Sequence, residues 1–176
     1  MKKCIFISCV LLMAPFLIYA QQNSDPEARI KELGIQLIAP SAPVANYVKA
    51  VRVGNMVYLS GHGPDKAGGG LVIGKVGTDL TLEQAQDAAR LVGISLISTL
   101  KAEIGNLNNV KRIVKVLGMV NAIPTFEKQP QVINGCSDLM VAIFGEKGKH
   151  ARSSVGVASL PSNIPVEIEM VVELKD

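Results

Sequence analysis

At 176 residues, with 48% hydrophobic and 19% charged side chains, the chain is long enough for one domain with a proper core and too apolar for extended disorder. Trp is absent and aromatics are 4%, so the core must be built from Val, Ile, Leu and Ala. With 18 basic against 15 acidic residues, no large basic field is present to hold nucleic acid.

The first twenty residues read as a secretory signal peptide. Lys2 and Lys3 precede an uncharged apolar run from Cys4 to Ala20, and Ile18-Tyr19-Ala20 leads into the polar Gln21-Gln22-Asn23-Ser24. Cleavage after Ala20 and export to the periplasm are expected; a retained anchor is the alternative reading. Losing Lys2 and Lys3 leaves 16 basic against 15 acidic residues. Cys4 and Cys9 leave as well, so Cys136 alone remains and no internal disulfide forms. No stable membrane association is expected after cleavage.

Residues 21–44 form a lead to the domain proper at 45–176. Asp25 is a candidate N-cap with Pro26 at the first helical position and Gly34 as the stop, so a short helix is expected as an appendage. Pro40 and Pro43 mark an extended passage. Val51 and Val53, the dipeptide Gly54-Asn55, and Met56-Val57-Tyr58-Leu59-Ser60 predict a β-hairpin with a two-residue connection. The glycine-rich stretch from Asp65 to Gly77 predicts a surface loop. Thr81 with Gln84 makes a capping box, and Leu82, Ala85, Ala89, Val92, Leu96 and Leu100 recur at three- and four-residue steps, so 81–102 is an amphipathic helix. Val114, Val116, Gly118 and Val120 alternate as in a strand covered on both faces. A second helix is expected at about 129–145, with Pro130 near its start and Cys136 on its apolar stripe. Two strands end the chain, Ser153 to Ser159 and the alternating Val166 to Leu174.

The order ββαβαββ predicts an α/β (α+β) domain, a mixed sheet with two helices on one face. The other face carries apolar side chains among Glu and Lys, so an oligomer is expected.

Several motifs fail on spacing. Gly69 to Lys75 has G-x-x-x-x-G-K, but Val76 stands where a Ser or Thr must hold magnesium. His62, His150 and Cys136 lie far apart, without metal-ligand spacing, and no metal is expected. No G-x-S-x-G elbow presents a serine nucleophile. Arg152 does stand out: a guanidinium at the start of an apolar strand suits a bidentate grip on a carboxylate. It can equally be paired with a structural carboxylate such as Glu167 or Glu169. Glu167 and Glu169 share one face of the last strand, either solvated or, for Glu167, turned into a cleft where it could polarise a water.

Gly54-Asn55-Met56-Val57-Tyr58-Leu59-Ser60-Gly61, then Ala151-Arg152-Ser153 followed by Val157-Ala158-Ser159-Leu160-Pro161 and Val166-Glu167-Ile168-Glu169, resemble the two signatures of the RidA (YjgF) family over about residues 45–174. The resemblance implies a chorismate-mutase-like fold, a homotrimer with ligand sites in clefts between subunits, and hydrolysis of 2-aminoacrylate and other short 2-imino acids without metal or organic cofactor. It implies that Arg152 binds the substrate carboxylate and that Glu167 orients the attacking water or relays a proton. Tyr47 and Ser60 would line the cleft, and Asn134 would be its helix asparagine. Ser154 replaces a cysteine common two residues after the arginine, and His62 a usual Gln. His150 before Ala-Arg-Ser resembles a divergent branch; with His62 and Ser154 it is counted among the substrate-binding residues.

An imine carbon is electrophilic once its nitrogen is protonated, so orienting the substrate and a water is most of the task. The competing reading is a non-catalytic module that holds a small carboxylate. A ribonuclease, historically attached to this family, is disfavoured by the net charge of +1 left after signal cleavage.

Overall fold

The computed structural model describes residues 25–40 and 45–176; the expected signal segment lies outside them. Helix α1, Pro26–Glu32, begins where Asp25 accepts hydrogen bonds from the Glu27 and Ala28 amides, and Gly34 takes a positive φ just past its end. It is more than an appendage. Ile30 joins the main core, and Glu27 accepts from both Lys101 Nζ and the Leu107 amide.

Strands β1 (Ala50–Val53) and β2 (Met56–His62) form the expected hairpin, with Gly54 at positive φ in its turn. Helix α2, Leu82–Ile104, opens on the reciprocal Thr81–Gln84 capping box and ends at Gly105. Strand β3, Val110–Asn121, starts four residues before its clean alternation, because two bulges keep Val110 and Ile113 in the ladder. Helix α3, Gln129–Phe144, is followed by β4, Ala151–Val157, and β5, Val166–Leu174. Strand β4 begins two residues earlier than its composition suggests, since Ala151 and Arg152 already pair with Lys115 and Val116. Side-chain pattern reports burial; pairing reports the partner strand.

The sheet order is β1-β2-β5-β3-β4, antiparallel except for β3 with β4, which α3 joins as a crossover. Helix α2 packs on β5 and β2, α3 on β3 and β4, and both helices lie on the same face. Val166, Ile168, Met170 and Val172 point into this core, with Leu96, Leu100, Ile133, Leu139 and Phe144 opposite. Two glycines set the approach of α3. A Cβ at Gly118 would meet Ile133 Cδ1 at 2.4 Å, and one at Gly135 would meet the Gln86 carbonyl oxygen of α2 at 2.0 Å. On the opposite face Val51, Val53, Tyr58 and Val155 are 43–63% exposed around the half-buried Lys115, whose ammonium donates to Ser153 Oγ at 2.7 Å.

Candidate functional site

Register sorts the candidate residues onto two faces. Arg152 pairs with Val116, which pairs with Met170, both core-facing; its side chain therefore rises on the helix side, toward α3. There Nη1 donates to Asn134 Oδ1 at 2.9 Å and to Ser137 Oγ at 3.0 Å. Asn134 and Ser137 are one helical turn apart and so project together. Neither Glu167 nor Glu169 pairs with Arg152, so the structural ion pair left open by the sequence is not formed. The Nε–Nη2 edge makes no hydrogen bond among the described residues.

His150, two residues before Arg152, belongs to the same cluster. Its Nδ1 lies 2.6 Å from the Gly148 carbonyl and its Nε2 3.1 Å from Ser137 Oγ. Burial, and secondarily the Arg152 charge, hold its pKa below the ordinary value, although the bond to Gly148 opposes this. Both ring nitrogens are thereby engaged within the chain. Ser154 shares the helix-facing side and sits beside Gly118, under Ile133; its hydroxyl is buried without a partner among the described residues. Cys136 is fully buried beneath the cluster, and burial pushes its thiol up to about 12, so it is inert at neutral pH.

Glu167 occupies the other face, paired with Met119 and hence level with Val155. It borders a cavity of about 280 Å³ with Tyr47, Gly61, Asp65, Leu71 and Ser162. Burial, then the neighbouring Glu169, raises its pKa above the usual carboxylate value, and it takes part in no ion pair among the described residues. The shift favours the protonated form of Glu167 over that of a free carboxylate, as expected for a group that takes up a proton. One wall of the cavity is a turn in which Ser162 and Asn163 adopt positive φ. Asn163 is held there by bonds from Asn121 Nδ2 and the Gly74 amide. Tyr47 is 46% exposed at the rim.

Ser60 lies on the open face in the neighbouring hollow with Val51, Tyr58 and Lys115, its hydroxyl donating to the Lys49 carbonyl at 3.4 Å. His62 reaches the rim of the Glu167 cavity, yet its residue is only 2% exposed and its ring is turned inward. Nδ1 donates to the Ser60 carbonyl at 2.7 Å, and Nε2 therefore accepts from Thr99 Oγ1 of α2 at 2.8 Å. Burial holds the ring below its ordinary pKa and neutral. The bulge between Leu59 and His62 causes this, because it breaks the alternation that would have sent His62 outward. His62 thus braces β2 on α2 from the border of the Glu167 cavity, with both ring nitrogens engaged.

Within the one chain the structure thus brings together Arg152, Asn134, His150 and the unforeseen Ser137, with Ser154 on the same side. It brings Glu167 and Tyr47 together elsewhere. Ser137 carried one signal in the sequence, its i, i+3 spacing from Asn134, which gained meaning only when α3 docked on β4. Among the described residues no group of His, Cys, Asp and Glu could hold a metal ion, and no helix is long and apolar enough to cross a membrane.

Residues 27–174 match the family model described as "YjgF/chorismate_mutase-like, putative endoribonuclease". Protein TCP17 of Trypanosoma cruzi is 43% identical over 85% of this chain and 94% of its own. A 2-iminobutanoate/2-iminopropanoate deaminase of Dermatophagoides farinae is 30% identical over 78% of this chain and 92% of its own. Among solved structures, protein Atu1372 of Agrobacterium tumefaciens is 42% identical over 86% of this chain and 94% of that one, with a TM-score of 0.78.

Proposed function

The chain belongs to the YjgF/RidA family, and from that premise we propose that it is a hydrolytic deaminase of short 2-imino acids, converting them with water to 2-keto acids and ammonia. The observation that carries this reading is the half-committed guanidinium of Arg152. With Nη1 tied to Asn134 and Ser137, the Nε–Nη2 edge offers two coplanar donors that match the two oxygens of a carboxylate. Water then adds to the imine carbon, and the carbinolamine expels ammonia as its C–N bond breaks and the C=O bond forms. Glu167, its proton affinity raised by burial, takes the proton from the water and returns it to nitrogen.

Because Arg152 and Glu167 project from opposite faces, a site using both needs two subunits. The apolar open face supports a homotrimer with clefts between subunits, in which Tyr47 and Ser60 would line the Glu167 side. Export directed by residues 1–20 would supply the reaction with imines from a source other than cytoplasmic enzymes. The same separation of clamp and carboxylate favours a second reading, a module that binds a small carboxylate without turnover.

Imines generated in situ from L-leucine by an amino-acid oxidase decide between them. Release of the 2-keto acid in competition with semicarbazide is expected to be about tenfold or more faster with the wild type than with Arg152→Ala, the loss of one charge-assisted bidentate pair. Equal rates would overturn the deaminase reading. Thermal stabilisation by pyruvate that is lost in Arg152→Ala, without turnover in either protein, would support the binding module.

A further inference from the structure

We propose that Ser137 and His150 are positioning residues for Arg152: with the Gly148 carbonyl they form a one-directional hydrogen-bond chain that holds the guanidinium with its Nε–Nη2 edge turned outward. The proposal deepens the reading of Arg152 as a carboxylate clamp and rests on it.

The direction of the chain follows from its fixed end. A carbonyl only accepts, so the 2.6 Å contact to Gly148 requires the proton on His150 Nδ1. In the neutral ring Nε2 then carries a lone pair, and the Ser137 hydroxyl 3.1 Å away must donate to it. That donation leaves the oxygen of Ser137 as an acceptor, which Arg152 Nη1 uses at 3.0 Å. The second Nη1 hydrogen goes to Asn134 Oδ1. Each bond permits only one polarity in the next, and the last fixes the plane and rotation of the guanidinium.

The fixed end is itself built. A Cβ at Gly148 would stand 2.2 Å from the Met140 carbonyl oxygen and 2.9 Å from Val141 Cα, so only glycine lets this carbonyl lie against the end of α3. Asn134 and Ser137 project from one face of α3, whose depth is set by Gly135 against α2. The charges nearby do not compete for the chain. Lys149 pairs with Glu146, Arg112 reaches the Lys149 carbonyl at 3.4 Å, and Asp138 is exposed. Among the described residues one nitrogen, Nη1, takes all of the guanidinium's hydrogen bonds, which leaves the Nε–Nη2 edge for a ligand.

The full chain is compared as wild type, Ser137→Ala, Ser137→Thr and Arg152→Ala by steady-state kinetics on oxidase-generated imine and by 1H–15N spectra of the arginine Nε–H and histidine ring nitrogens. In Ser137→Ala the KM is expected to rise about tenfold with kcat within about twofold, and Ser137→Thr, which keeps the hydroxyl, to restore it. His150 is expected as the Nδ1–H tautomer. The Arg152 Nε–H signal, distinct in the wild type, should merge with those of exposed arginines when the hydroxyl is lost. An unchanged KM and an unmoved Arg152 signal in Ser137→Ala, or His150 as the Nε2–H tautomer, would overturn the proposal while leaving the deaminase reading standing. Should Arg152→Ala hydrolyse imine as fast as wild type, the deaminase reading built on the Arg152 clamp fails instead, and the tautomer and Arg152 signals still decide whether the chain holds the guanidinium.

Discussion

Arg152 and Glu167 project from opposite faces of one sheet, Arg152 in line with Val116 and Met170 under α3, Glu167 in line with Met119 and Val155 on the open side. Joint action by these residues therefore requires two copies of the chain, which complementation tests. Arg152→Ala and Glu167→Gln are each expected to keep about a tenth of wild-type turnover or less. Unfolded together in equal amounts and refolded, they should recover about a quarter of wild-type turnover. A site is intact only when its arginine comes from one kind of subunit and its glutamate from the other, in about one site of four. No recovery would mean that both residues must come from one chain.

Stability should fall as the solution is acidified below the ordinary histidine value of 6.5. His62 and His150 both have folded pKa values lowered by burial, so between 6.5 and those lowered values the unfolded chain binds more protons. The stability they contribute is complete above 6.5 and is lost as pH falls through the folded values. Glu167 acts with the opposite sign: its raised pKa lets the folded form take up a proton first, which partly offsets the loss nearer the carboxylate range. Urea midpoints measured from pH 7.5 to 5 check this, and His62→Gln, which does not titrate, should show a shallower decline.

Ser154→Ala is expected to leave the protein as stable as wild type or to stabilise it by about 1 kcal/mol, because the hydroxyl is buried without a partner among the described residues and its removal leaves none of them unpaired. Urea unfolding measures this directly. A loss above about 1 kcal/mol would reveal a hydrogen bond to the hydroxyl.

Gly135→Ala should be costly. Its Cβ would stand 2.0 Å from the Gln86 carbonyl oxygen and 3.1 Å from the Arg90 nitrogen, both backbone atoms of α2 that cannot swing aside. The helices must separate, at about 1–3 kcal/mol or more, and Asn134 and Ser137 move with α3. Gly93→Ala is the control: its Cβ meets only side-chain atoms, the Leu139 Cδ2 methyl at 2.9 Å and Cys136 Sγ at 3.3 Å, rather than backbone, and should cost less in the same urea titration.

Much of this architecture could be read from local signals. The Thr81–Gln84 box, the Gly54-Asn55 turn and the alternation from Val166 to Leu174 each carry their own physics within a few residues, and each stands where it was expected. What could not be read depends on partners distant in sequence. The bulge that turns His62 inward arises where β2 meets β5, and regular alternation points the other way. The bond from Arg152 to Ser137 spans 15 positions and exists only because α3 returns over β4. Likewise, shared motif strength gave Arg152 and Glu167 the look of neighbours, whereas strand parity separates them.

Gly61→Ala should separate chemistry from stability. An ideal Cβ at Gly61 would stand 1.8 Å from Glu167 Oε1 and 2.8 Å from its Cδ, with no backbone atom among the close contacts. The carboxylate is the end of a flexible side chain bordering open space, so it can yield by rotating, and the strand need not move. The φ of Gly61 is not in the left-handed region, so alanine brings no backbone strain. The urea midpoint should therefore stay within about 0.5 kcal/mol of wild type. A displacement of the carboxylate by about 1 Å is enough to lower kcat by about a hundredfold if Glu167 aligns the water, while KM changes little if Arg152, on the opposite face of the sheet, is what binds the substrate. Unaltered kcat in a folded Gly61→Ala protein would remove Glu167 from the reaction.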